Sequence, residues 1–556
     1  MLVYGDRSEQ ADPRVRLGEI DRKLRSISAE PPGLERHSAL RDLLIDVGRV
    51  LQGVADAQFE PAKGERWSTE TVALADYLQA IAELLCRSED REFEVPNIAQ
   101  LNLPEGVELK VPEGYAYYAL YPEAYVEAAR TLDSGRPVRV VGIRSIGTSL
   151  AAVTAGAVGA PRPVTVRPFG PPYARRIAIS DEMAAGLLDD EMADFLIVDE
   201  GPGQSGSSFC AVADWLESRG VSRERIIFLP SHGGAPGPCA SEAHRTLWQQ
   251  VRKVPARFDA RMPLAQEVEA LEDISHGQWR SRVFEHEAQW PAVNPAWERS
   301  KFLALHDDSP CMFKFAGLNG EGARKLERAR ILHSAGLVPE PIGLADGFLI
   351  ERWVKNARPL APDSKPLEAL AHYIGTRARL LPAVQPGASL HDLLQMAKRN
   401  VSLGLGETFT GALERWNERL PKLSALVQPI ETDGKLERHE WLQLPDGRLL
   451  KSDALDHCQS HDLIGCQDVT WDIAGAAIEF DLEEPEIDWL ADAIGMISGH
   501  PVHRKLLRFM TVAYLALRFG QASLSCQMVD PNDAESGRLD ALAGRYRRRL
   551  EAVLSY

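Results

Sequence analysis

The chain has 556 residues and carries 63 Lys and Arg against 80 Asp and Glu, a formal net charge of −17. Single hydrophobic cores stop growing near roughly 250–300 residues, so this length predicts two or three domains. A 44% apolar and 26% charged composition is that of a folded globular chain, and the acidic balance with no long Lys/Arg run argues against sequence-independent binding to nucleic acid or to an anionic membrane.

The seven cysteines (Cys86, Cys210, Cys239, Cys311, Cys458, Cys466 and Cys526) are scattered, with no CxxC pair. Together with a start, MLVYGDRSEQADPR, that lacks a basic-then-apolar leader, they predict a cytoplasmic protein. No run is apolar for the length that a membrane helix needs, and the Ala- and Gly-rich stretch 149–160 predicts a buried helix.

In chain order, residues 1–107 read as a helical N-terminal region, because ALRDLLIDVGRVLQGV and TVALADYLQAIAELL repeat apolar positions at three- and four-residue spacing. From 108 to 240 short apolar runs (VRVVGI, PVTVRPF, DFLIVDE, RIIFLPS) alternate with helical segments, which predicts a parallel sheet covered on both faces. Residues 241–290 are charged and Trp-bearing and read as a helical connector. Residues 291–556 begin with strands, CMFKFAG and GFLIERWV, around a helix, EGARKLERARILHSAG, and continue mostly as helices. The predicted class is therefore α/β: a helical N-terminal region, a parallel-sheet domain, then an α+β domain with an α-rich C-terminal lobe.

Chemistry concentrates first at FLIVDEGPGQSGSS, an apolar strand ending in Asp199 and Glu200, then a Gly- and Ser-rich turn that leads into a helix. Glycines let backbone amides approach an anion, serine hydroxyls add donors, and adjacent acids can accept from sugar hydroxyls. Upstream, VRVVGIRSIGTSLAA offers a second strand, turn and helix. This pair of elements resembles the phosphoribosyl pyrophosphate site of type I phosphoribosyltransferases. The resemblance implies that Asp199 and Glu200 hold the ribose hydroxyls and that Gly203, Gln204, Ser205, Gly206, Ser207 and Ser208 wrap the 5′-phosphate. It further implies that Arg144, Ser145, Ile146, Gly147 and Thr148 bind pyrophosphate, and that Arg175 and Arg176 form a basic lid. His232 would touch the acceptor. The loop GPGQSGSS is one residue longer than the family's usual turn. The implied reaction releases pyrophosphate from phosphoribosyl pyrophosphate with Mg²⁺ and transfers the phosphoribosyl group to an unidentified small acceptor.

The second concentration is Lys314 in a strand, a helix starting among acids, the strand FLIERWV, and the later DGRLLKSDALDH and DVTWDIAGA. This order resembles the aminoglycoside-phosphotransferase branch of the protein-kinase-like fold. The resemblance implies that Lys314 orients nucleotide phosphates with Glu321 or Glu327 as its ion-pair partner, that Glu351 lies where the strand meets the adenine, and that Asp453 binds metal, with ATP as the nucleotide. Asp468 and Asp472 fall on the family's GDPAxDLA stretch. Where the family carries a catalytic Asp and a metal-binding Asn, the chain reads KLERHEWLQL, with His439, Glu440 and the nearby Asp433 as candidate substitutes. No Gly-rich phosphate loop precedes Lys314. The cluster Asp453, Asp456, His457, His461 and Asp462 lacks the HExxH form, and its last four members read as supporting or surface positions.

Two functions stay open on this sequence. One is a phosphoribosyltransferase-like enzyme fused to a kinase-like domain. The other is a sensor of a phosphorylated ligand coupled to a nucleotide-binding pseudokinase module, or an active small-molecule kinase. The partners expected are small molecules, with no nucleic acid and no membrane, and assembly into a homo-oligomer is compatible with the sequence.

Overall fold

The computed structural model describes residues 1–5, 7–59, 64–90, 94–98, 101–132, 135–259, 264, 268, 270–383 and 385–555. The chain is mixed α/β, with a parallel sheet and a helical C-terminal region, and it divides into two compact units.

One unit comprises Arg7–Leu264 with Gly317–Glu321. It opens with β1 (Ser8–Ala11), α1 (Pro13–Ser28), α2 (Leu34–Gln58), α3 (Thr69–Cys86), β2 (Val107–Lys110), α4 (Glu113–Tyr117) and α5 (Pro122–Arg130). Local chemistry sets these boundaries: Asp12 accepts from the Arg14 N–H ahead of Pro13, and Ser68 forms a capping box with Thr71. The remainder is β3 (Val138–Ile143), α6 (Gly147–Val158), β4 (Val164–Val166), α7 (Asp181–Leu187), β5 (Asp194–Val198), α8 (Ser207–Ser218), β6 (Ile226–Leu229), α9 (Glu242–Gln250) and β7 (Arg252–Lys253).

Strands β3 to β7 form one parallel sheet in the order β4-β3-β5-β6-β7. VRVVGI, DFLIV and IIFL are near-continuous apolar runs because both faces are covered. On one face α6 packs against α2, α3 and α5, while Phe209, Leu216 and Trp248 join Phe195 and Ile197 in the other core. The strand order reverses between β3 and β5, the kind of switch point where a crevice opens beyond the strand ends.

Two expected boundaries shift. The helices before residue 107 share a unit with the parallel sheet. The expected connector 241–290 instead contributes β7 to that sheet, with α9 before it in the same unit, and a strand to the other unit. Two-residue strands carry no periodicity, which is why the segment reads as a linker.

The other unit comprises Met1–Asp6, Ala265–Ala316 and Gly322–Tyr556. Its sheet is antiparallel, in the order β11-β12-β10-β9-β8, built from β8 (Glu272–Asp273), β9 (Lys301–His306), β10 (Ser309–Phe315), β11 (Pro341–Ala345) and β12 (Phe348–Arg352). Asp307 and Asp308, and then Asp346 and Gly347, take positive φ in the two-residue turns that join β9 to β10 and β11 to β12. Between β8 and β9 lies α10 (Arg280–Val283), and between β10 and β11 lies α11 (Glu321–Ser334), whose first residue belongs to the other unit.

The helical region contains β13 (Arg358–Pro359), α12 (Leu367–Leu380), α13 (Leu390–Leu405), α14 (Glu407–Gly411), α15 (Leu420–Ser424), β14 (Pro429–Ile430), β15 (Trp441–Gln443), β16 (Leu449–Lys451), β17 (Gln467–Asp468), α16 (Thr470–Glu479), α17 (Glu484–Ser498), α18 (Arg504–Met528) and α19 (Ala534–Leu554). Its core holds Trp441, Trp471, Tyr373 and Tyr514. Met1 to Gly5 run against it, with the Leu463 N–H donating to the Val3 carbonyl at 3.0 Å and the Gly5 N–H to the His461 carbonyl at 2.9 Å. Among the described residues no helix is long and apolar enough to cross a membrane.

Close packing at the end of β3 makes a testable demand. A Cβ on Gly142 would stand 2.2 Å from the Gly147 carbonyl oxygen, which α6 holds in place. Gly142→Ala is expected to destabilise this unit by about 1–3 kcal/mol, an overpacking cost. Gly186→Ala, where a Cβ meets nothing within 4 Å, serves as control in chemical denaturation. Equal midpoints for the two variants would refute the packing account.

Candidate functional site

The helical-region unit encloses a cavity of about 330 Å³. Strand β10 brings Lys314 to it, β12 brings Glu351, and the turn after β16 brings Asp453, Asp456 and His457. Lys314 is buried, and its Nζ donates to Asp453 Oδ1 at 2.6 Å and to Asp456 Oδ2. Burial alone would lower the Lys314 pKa, but Asp453 and Asp456 hold it above its usual value. Glu351 stands opposite Met312 in the β10–β12 register, and burial pushes its carboxyl up to about 7 despite Lys314 nearby.

The expected helix partners of Lys314 are elsewhere. Glu327 is exposed, and Glu321 pairs with Arg7 at 3.2 Å. The buried residue that α11 offers is instead Lys325, whose Nζ lies 2.6 Å from Asp456 Oδ1. A second ammonium group from the helix demands a carboxylate from the facing turn, and Asp456 supplies it to both lysines.

The loop before β15 departs from the family pattern in a way the structure explains. Asp472 on α16 accepts from the N–H groups of Asp433, at 2.9 Å, and Gly434, at 3.0 Å, which fixes the loop. Asp468 caps the same helix through the N–H of Thr470 at 3.0 Å and its hydroxyl at 2.7 Å. Asp433 itself is 1% exposed, accepts from the Tyr373 hydroxyl and lies 3.5 Å from Lys451 Nζ, so it does not line the cavity. Glu440 and His439 do line it. Lys451 holds Glu440 Oε2 at 2.6 Å, and His439 stacks on Trp279 with centroids 5.8 Å apart.

The sequence reading missed several lining residues. Asp456, His457, His461 and Asp462 are cavity residues rather than surface ones. The segment between β8 and β9, which stands where a phosphate loop is expected, contributes Trp279, Trp297 and Glu298. It is pinned by Glu535, which accepts from Arg280 at 2.8 Å and from the Val293 N–H at 2.7 Å. No periodicity in 274–300 signals this. The Lys two residues before Asp453 in RLLKSD was the one available hint of the Lys451 contact.

The parallel-sheet unit carries the other predicted site. Asp199 and Glu200 follow β5, the turn 144–146 follows β3, and the two flank the point where strand order reverses. Gly203 and Gly206 take positive φ, with Gly206 leading into α8. Gly203 is exposed, and Ser145, Gln204 and Ser208 are half-buried. Ile146, Gly147, Thr148, Ser205 and Ser207 are buried, and the Ser205 hydroxyl donates to Ser207 Oγ at 2.9 Å. His232 is exposed and its ring lies against the start of the loop, where a Cβ on Gly201 would be 3.1 Å from Nε2. Arg175 donates to the Gly170 carbonyl at 2.7 Å, and Arg176 lies over the Phe169 ring at 4.9 Å.

Arg144 is corrected. It is 4% exposed and bound to Asp56 at 3.0 Å and to Glu65, so its charge is neutralised by α2 and the segment after it rather than offered to a ligand. A buried guanidinium needs such partners.

Desolvation lifts Asp199 to about 7, and desolvation with Glu113 and Asp199 lifts Glu200 to about 8. A carboxyl with a raised folded pKa binds more protons folded than unfolded, so its stabilising share is complete at low pH and is lost as pH rises toward 7–8. Glu200→Gln is therefore expected to raise the melting temperature of native protein at pH 8 by a few degrees and to leave it unchanged at pH 4. A difference independent of pH would contradict the assignment.

No protein-family model matches the chain, and no curated protein does. Among solved structures the chain is similar to choline kinase LicA from Streptococcus pneumoniae, with 14% identity and a TM-score of 0.37, covering 53% of this chain and 98% of that one. A putative aminoglycoside phosphotransferase from Ralstonia eutropha gives 13%, 0.36, 53% and 95%. Spectinomycin phosphotransferase APH(9)-Ia, solved with ADP and spectinomycin, gives 11%, 0.33, 52% and 95%.

Proposed function

We propose that the unit containing the helical region binds a nucleoside triphosphate in the 330 Å³ cavity and acts as a kinase-like nucleotide-binding module. The observation that carries this is the buried Lys314, fixed by Asp453 and Asp456 at the cavity wall, with Glu351, Arg352 and Trp353 on the adjoining edge. An ammonium with two of its three N–H groups held by carboxylates keeps one for a phosphate oxygen, and Asp453 keeps Oδ2 for a divalent cation that accompanies the phosphates. The apolar part of the wall, with Met312, Pro339 and Leu442, suits the face of a base. Because Asp433 is sealed behind Tyr373 and Lys451, no loop aspartate is in place to accept a proton from an acceptor hydroxyl. This favours a regulatory role for the bound nucleotide over phosphoryl donation.

Thermal denaturation with ATP and a divalent cation tests this reading. Ligand at about 100 times its Kd stabilises by about 2.7 kcal/mol, so native protein should melt several degrees higher. Lys314→Ala should weaken binding at least tenfold, while Glu327→Ala leaves it unchanged. Equal stabilisation of Lys314→Ala would contradict the phosphate role, and turnover of ATP onto a small-molecule acceptor would overturn the regulatory reading.

A second reading concerns the parallel-sheet unit, where paired acids with raised pKa flank a strand-order reversal beside a Gly-rich turn. This arrangement supports a ribose-phosphate ligand such as phosphoribosyl pyrophosphate, with Asp199 and Glu200 on the sugar hydroxyls. The check is binding of that ligand with Mg²⁺, and pyrophosphate release, in native protein and in Asp199→Asn/Glu200→Gln. Absence of binding in native protein rejects the reading, and binding without release makes the site a sensor.

A further inference from the structure

We infer that Glu440, Asp453 and His457 form a site for a first-row transition-metal dication of the Mn²⁺ or Zn²⁺ kind, in preference to Mg²⁺. Each residue offers one ligand atom, and these three atoms lie within 4.8 Å of one another on the cavity wall. An ion bound by them would take ligand distances of about 2.0–2.2 Å.

Their surroundings divide the work in a consistent way. Lys451 holds Glu440 by Oε2 at 2.6 Å, and Lys314 holds Asp453 by Oδ1 at 2.6 Å. The other oxygens, Glu440 Oε1 and Asp453 Oδ2, make no hydrogen bond among the described residues. The His457 ring has Nδ1 3.6 Å from Asp462 Oδ2, while its buried Nε2 has no hydrogen-bond partner among the described residues. A carboxylate behind one ring nitrogen and an open second nitrogen is the arrangement that orients a metal-binding imidazole. A buried polar nitrogen with no partner otherwise carries an uncompensated desolvation cost, which a metal bond would offset.

The donor set decides the metal class. Mg²⁺ keeps several waters and takes oxygen ligands, whereas imidazole nitrogen favours the first-row transition ions. An aspartate and an asparagine would give oxygen donors only. Glu440 with His457 adds a second carboxylate and a nitrogen.

This inference deepens the nucleotide-site reading and shares Asp453 with it, but metal titrations of the full chain without nucleotide separate the two. Mn²⁺ binding followed by electron paramagnetic resonance should give one bound ion, displaced by Zn²⁺ and competed at least tenfold more weakly by Mg²⁺. Pulsed measurements should show ¹⁴N coupling that disappears in His457→Ala, with affinity at least tenfold lower, and that survives in His439→Ala. If His457→Ala fails to fold, His457→Asn takes its place. Equal competition by Mg²⁺, absence of nitrogen coupling in native protein, or coupling that persists without His457 would each overturn the site. ATP binding that is lost while Mn²⁺ binding persists would reject the nucleotide reading alone.

Discussion

One carboxylate, Asp456, receives ammonium groups from both a strand and a helix, and the geometry of the cavity depends on it. Lys314 and Lys325 are buried at 5% and 1% exposure, and both find a counter-charge in Asp456. Removing one partner of a buried ion pair costs about 3–5 kcal/mol because the other charge is stranded. The turn carrying Asp453, Asp456 and His457 is thereby locked to β10 and α11. Asp453 and His457, on the same turn, inherit their positions from this lock.

In the loop from Asp433 to Glu440 different residues hold the backbone and face the cavity. Asp472 still fixes the backbone at Asp433 and Gly434, so the loop is rigid. The side chain of Asp433, however, meets Tyr373 and Lys451, whereas Glu440 and His439 reach the cavity. Backbone anchoring and cavity lining are separate properties of one loop, supplied by different residues.

Much of this was legible in the sequence. Runs such as VRVVGI and DFLIV announce a doubly covered parallel sheet because a strand buried on both faces has no polar alternation. Asp199 and Glu200 fall at the end of β5 as expected, and Lys314, Glu351 and Asp453 come together on one cavity wall. Ion-pair partners far apart in the chain were not legible. Arg144 reads as a ligand for an anion until Asp56 and Glu65, 88 and 79 residues away, are seen to neutralise it. The helix residue presumed acidic beside Lys314 is the cation Lys325, because helix periodicity gives a face and not the sign of the charge that the facing turn requires. The segment 274–300 closes the cavity with tryptophans held by tertiary contacts, which leave no local pattern to read.

Glu535 ties the segment over the cavity to the last helix through Arg280, 255 residues earlier in the chain. During synthesis the antiparallel sheet emerges long before that carboxylate exists, and domains fold as they emerge. Until Glu535 is made, Arg280 lacks its buried counter-charge and the segment 274–300 lacks that tie. The cavity is therefore among the last parts of the protein to mature, and a ribosome-bound chain that stops short of α19 carries the lysine wall with its roof untied from Glu535.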